Sequence, residues 1–199
     1  MAALNVPLPS RVRQIELALE RLRWLPHLDN QRFVAVNIPM FRLWAWDGIR
    51  PGGVASFQSG VIVGRALDTR TPVFVEELRD IVFRPYWNVP SSILRHEILP
   101  AIAKRPDYLR SHDMEVVSGP GQPLRVRQRP GPANALGLVK FVFPNDDDVY
   151  MHGTPAQALF GRARRDFSHG CVRVEDPVGF AQWALADHRN GLAIGFWRR

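Results

Sequence analysis

Short β-branched and aromatic runs, cut by glycine and proline every few residues, recur through this chain and constrain its fold more than any other feature. Residues 33–38 and 41–46 are β-prone and aromatic-rich, broken at Pro39. Asp47-Gly48 signals a hairpin, and Pro51-Gly52-Gly53 suggests a longer turn. Residues 54–58, 61–63, 72–75 and 81–83 continue the meander, and the pattern returns at 138–143 and 149–152. Repeated strands with such punctuation predict a mainly β (α+β) fold built on an antiparallel sandwich or barrel-like sheet.

Three segments depart from this pattern. Residues 10–23 predict a helix, with Ser10 as cap and Val12, Ile15, Leu19 and Leu22 on one face, ended by Pro26. That helix is expected either to dock on the domain or, with residues 1–30, to form the exit from an upstream module. Residues 84–135 are rich in Pro and Gly and contain a helical stretch over 91–104 with Pro100 inside it. They read as a helical, loop-rich functional cover inserted into a domain spanning 31–199. A last helix is expected to start at the Asp176 cap with Pro177 at its first position, and to run to about His188.

The 199 residues, 46% of them apolar, suffice for one well-cored domain with a small appendage. No run of eighteen apolar residues predicts a spanning helix, and residues 1–7 lack the pattern of a secretory signal. The net charge is +7, and of the 26 basic residues only Lys104 and Lys140 are lysines. Arginine at this density favours an anionic partner, but it is scattered rather than gathered into a stripe, which argues against nucleic acid.

Chemistry concentrates near the single cysteine, Cys171. One thiol makes neither an intrachain disulfide nor a cysteine-rich zinc site, so it is either a buried apolar residue or a nucleophile. Its neighbours favour the nucleophile. His152-Gly153-Thr154 closes a predicted strand nineteen residues earlier, and Ser168-His169-Gly170 leads directly into Cys171. Imidazole and guanidinium groups favour thiolate, and Arg162, Arg164, Arg165 or Arg173 would lower the thiol pKa if they faced it. Gly170 permits close backbone approach, and amides there offer an oxyanion hole. No metal-ligand spacing accompanies His169, and Asp146-Asp147-Asp148 lacks the spacing of a calcium loop.

Together, His-Gly-Thr followed by Ser-His-Gly-Cys-Val-Arg resembles the catalytic signature of the L,D-transpeptidases (YkuD-type), which cross-link bacterial peptidoglycan. Segments 36–39, 63–64, 71–74, 137–145 and 149–152 also look like family segments in family order, covering roughly 32–190. Residues 84–135 resemble the capping subdomain of the larger Gram-negative members. Gly153 departs from that branch, where many relatives carry Asp.

The resemblance implies that Cys171 attacks the diaminopimelate carbonyl of a donor tetrapeptide stem and expels D-alanine, with His152 as acid and base. The thioester then passes to an acceptor amine. Gly170 and Cys171 amides would hold the oxyanion, and His169 would shape the site. Tyr150, Gly153, Ser168, Arg173 and Trp87 would contact substrate or support those that do. No metal or cofactor is implied, carbapenems would acylate the thiol, and the setting would be the periplasm or cell envelope. An L,D-carboxypeptidase shares this chemistry. A papain-like endopeptidase would place its cysteine before its histidine, a zinc hydrolase would need His152, His169 and Cys171 as ligands, and a wall-binding domain would carry an inert thiol.

Overall fold

The computed structural model describes residues 5–23, 31–48, 53–119 and 121–186. Its main body is a curled sheet. β1 (Phe33–Asn37) and β2 (Arg42–Trp46) form a hairpin, and β2 pairs antiparallel with β3 (Phe57–Gly64). β4 (Asp80–Phe83), β8 (Val139–Val142), β9 (Met151–His152) and β11 (Val172–Val174) complete the order β1-β2-β3-β11-β9-β8-β4. β10 (Asp166–Ser168) lies parallel to the end of β3.

The sheet is mixed rather than wholly antiparallel, because β11 also runs parallel to β9. Neither β10 nor β11 was expected. Each is three residues long and borders the Gly170 turn, too short for alternation to register. Residues 72–75, expected as a strand, are irregular: Val73 is 92% exposed, so the apolar run has no sheet to pair with. The end of the run at 54–58 joins 61–63 in the single β3, since Gly60 continues the strand, while residues 54–56 lie outside it.

One face of the sheet is covered by α5 (Pro177–Leu185), whose Asp176 cap accepts a hydrogen bond from the Gly179 amide at 2.8 Å, as expected. The predicted end at His188 lies outside the described residues. Phe180 is fully buried between Phe141 and Phe57, with ring centroids 4.5 and 5.8 Å away. Leu43, Val61, Val63, Val139, Met151 and Val174 pack the same core. This apolar layer anchors both strands that carry the candidate catalytic residues.

Residues 84–135 hold more strand than expected. β5 (Trp87–Asn88), β7 (Val126–Gln128) and β6 (Met114–Val116) form a separate sheet in that order. The helical stretch is α2 (Ser91–Ile93), a π-helical turn over Leu94–Ile98, and α3 (Leu99–Lys104), followed by α4 (Tyr108–Ser111). Pro100 explains the π turn. It has no N–H for the His96 carbonyl, and its ring crowds that group. The backbone widens, and the Leu99 amide bonds to the Leu94 carbonyl, five residues back. A second, small core of Leu94, Ile98 and Val126 holds this segment together.

α1 (Leu8–Leu22) starts before the predicted Ser10 cap. Pro7 takes the cap position, Pro9 fits the first turn, and no side chain caps the end. Val12, Ile15 and Leu19 remain 47–59% exposed, so these three apolar positions of the helix face solvent.

Candidate active site

The parallel pairing of β9 with β11 creates the site. Its register sets Arg173 opposite His152 and Val172 opposite Met151, and the Val172 amide bonds to the Tyr150 carbonyl at 3.1 Å. Two segments remote in sequence are thereby locked side by side, with Cys171 at the end of one and Tyr150 at the end of the other.

Cys171 sits at the start of β11, partly exposed, on a loop pinned from several directions. Gly170 has φ +119°, a conformation that disfavours any side chain. Its carbonyl accepts the Thr71 hydroxyl at 2.7 Å, and that hydroxyl oxygen accepts the Gly64 amide at 2.9 Å. Thr69 donates to the Ser168 carbonyl at 2.9 Å. Ser168 is 2% exposed, and its hydroxyl donates to the Cys171 carbonyl at 2.6 Å. Ser168 therefore shapes the loop and is sealed from anything bound in the cleft. It also accepts the Gly170 amide at 3.2 Å, so that N–H is already engaged and is not free for an oxyanion.

Burial pushes the Cys171 thiol above its ordinary value, opposed by the Tyr150 amide and hydroxyl, Lys140 and Arg173. An arginine does bias the thiol downward as expected, but burial outweighs it and the net shift is upward. Of the four named, only Arg173 acts on it. Arg164 is paired with Asp166 at 2.7 Å, and Arg165 donates to the Phe41 and Phe160 carbonyls. Desolvation outweighs the positive charges that remain.

His152 is 5% exposed, and Nδ1 lies 2.5 Å from the Gly153 carbonyl. Burial drives its pKa down to about 3, and the Gly153 and Leu136 carbonyls oppose this only in part. The ring is a neutral imidazole near pH 7, so the resting site pairs a neutral ring with a neutral thiol. Gly153 is buried and backs onto Pro177, whose Cγ would lie 3.0 Å from an added Cβ. Gly137, at φ +65°, lets the preceding turn approach just as closely: a Cβ there would fall 2.6 Å from the Thr154 nitrogen.

Tyr150 packs 5.6 Å from the His152 ring, with the Lys140 ammonium 3.8 Å above its own ring. Its hydroxyl lies near enough to Cys171 and Trp87 for both to act on it, and burial drives its pKa far upward. Trp87 thus reaches the nucleophile's neighbour from the inserted sheet. Arg173 is half-buried, and its Nε finds no acceptor among the described residues. His169 pairs through Nε2 with Glu97 of the π turn at 3.1 Å. The sequence reading missed Lys140, Glu97, Thr69 and Thr71. Only Lys140 carried a signal, as one of two lysines in an arginine-rich chain. No group of three or more His, Cys, Asp or Glu suited to a metal occurs among the described residues.

A curled, mostly β body with a few helices, bearing His-Gly-Thr and Ser-His-Gly-Cys on neighbouring strands, defines the L,D-transpeptidase class. The chain belongs to the YkuD family, whose model, the L,D-transpeptidase catalytic domain, matches residues 31–189. The chain is also 35% identical over 179 residues to the "Putative L,D-transpeptidase" of Haemophilus influenzae, a match covering 82% of this chain. The match takes in 35% of that relative's length, so the chain spans about a third of it. The family acts on peptidoglycan peptides, and no helix among the described residues is long and apolar enough to cross a membrane.

Proposed function

We propose that this protein is a peptidoglycan L,D-transpeptidase with Cys171 as its nucleophile, working in the periplasm or cell envelope. The thiol attacks the diaminopimelate carbonyl of a donor tetrapeptide stem, the C–N bond to D-alanine breaks, and a thioester remains. An acceptor amine of a second stem then displaces the sulfur. The observation that carries this reading is the β9–β11 register, which couples a partly exposed thiol to the strand bearing a neutral, buried imidazole.

Because neither group is charged at rest, the proton leaves sulfur as the S–C bond forms rather than beforehand. His152 takes it and returns it to the departing amine. Tyr150, Lys140 and Arg173 lower the cost of developing thiolate. With the Gly170 amide engaged by Ser168, the Cys171 N–H is the oxyanion donor. Arg173, half-buried with an unmatched, buried Nε, is suited to a donor carboxylate. Trp87 and Tyr150 form the wall that residues 84–135, acting as a cap, close over the stem.

Intact mass after mixing with a carbapenem tests the nucleophile. The wild type should gain the mass of the drug, and Cys171→Ala should gain nothing. An adduct retained by the variant, or a wild type that neither reacts nor releases D-alanine from a tetrapeptide stem, would refute the assignment.

A further inference from the structure

The inserted segment meets the Cys171 loop through the Glu97–His169 pair, 3.1 Å apart. The pair's side chains are 52% and 43% exposed, so it adds little to stability. Its position is nonetheless built. Pro100 forces the π turn, and such turns recur at functional sites because they re-aim a side chain. Here the turn carries Glu97, held by Leu94 and Ile98 in the small core.

Charge around the thiol is divided. Lys140 and Arg173 place positive charge on it, while Glu97 acts on Arg173 and reaches His169, two residues from Cys171. A reaction joining an anionic donor to an ammonium acceptor needs these two surroundings together. The cationic side suits the donor's carboxylates. The exposed carboxylate–imidazole pair, two residues from the thiol along the loop and close enough to Arg173 to act on its charge, is open to solvent.

We infer that Glu97, acting with His169, is the acceptor-side specificity residue, receiving the ammonium of the incoming stem beside the thioester. This deepens the transpeptidase reading and rests on it. The acceptor gives one proton to the pair, and thence to solvent. Its nitrogen attacks the thioester carbonyl, the C–N bond forms as C–S breaks, and the second displaced proton ends on the departing sulfur. His152 is 5% exposed and sealed from an incoming ammonium, whereas the Glu97–His169 pair stands at the surface.

The test is the partition of the thioester between acceptor amine and water. With donor tetrapeptide and a diaminopimelate-containing acceptor, cross-linked dimer and hydrolysed tripeptide are counted by mass. Glu97→Gln should lower the dimer-to-tripeptide ratio about tenfold, the scale of one charge-assisted contact. Glu97→Lys should lower it further, and Glu97→Asp should recover part of it. A carboxylate that merely ties the insertion to the loop would slow both products alike and leave the ratio unchanged, which would overturn the inference while leaving the transpeptidase reading intact. A wild type yielding neither product would overturn both.

Discussion

The main sheet and the inserted segment contribute to one cleft but are held by very different amounts of apolar packing. The sheet body surrounds Phe141, Phe180, Val61 and Leu43, all fully buried, and carries His152 and Cys171 on adjacent strands. The insertion rests on Leu94, Ile98 and Val126, yet supplies Trp87 and Glu97. The groups assigned to bond making lie on the better-packed part, and recognition is shared between that part, through Arg173 and Tyr150, and the less packed insertion, through Trp87 and Glu97.

Deleting a ring from the larger core should have the largest effect. Phe180→Ala is expected to cost about 3–5 kcal/mol, and Leu94→Ala about 2 kcal/mol, the low end for such deletions. Urea unfolding of both variants checks this, and equal losses would abolish the contrast. Removing a pin of the catalytic loop comes next. Thr71→Val strands the Gly170 carbonyl and the Gly64 amide and should cost roughly 1–3 kcal/mol. It should also slow thiol acylation, whereas the Leu94 variant should chiefly raise amide exchange in 84–135.

Acid sensitivity comes from the sheet body. His152 is held at about 3 when folded, against 6.5 ordinarily, so the unfolded chain binds its proton first. Stability is then full above about pH 6.5 and is lost progressively as pH falls toward 3. Melting temperatures between pH 7 and 4 should fall more steeply for the wild type than for His152→Asn. The raised thiol gives a companion signature: iodoacetamide labelling of resting Cys171 should still be climbing at pH 9, and a plateau near 7 would mean a preformed ion pair. The smallest effect belongs to α1. Ile15, 59% exposed, should tolerate Ser within about 0.5 kcal/mol.

The legible parts of the sequence were those whose chemistry is local. Strands β1, β2, β4 and β8 and the Asp176–Pro177 helix start follow from β-prone runs, turn residues and capping. Cys171 and His152 stood out because the residue types around them are rare in combination. The run at 72–75 misled because apolar alternation signals a strand only where a partner exists, and none flanks it. The strands of 84–135 were hidden among Pro and Gly, and β10 and β11 are too short to show a period.

Residue order alone determined that a lone thiol would follow Ser-His-Gly, that a β-rich body would surround it, and that a helical stretch over 91–104 would contain Pro100. Only tertiary structure decided that β11 runs parallel to β9, that burial keeps both thiol and imidazole uncharged, and that Glu97 meets His169 across 72 positions of chain. Turn chemistry and capping depend on neighbours a few residues away. Desolvation and charge pairing depend on which distant surfaces come together, and local sequence does not carry that information.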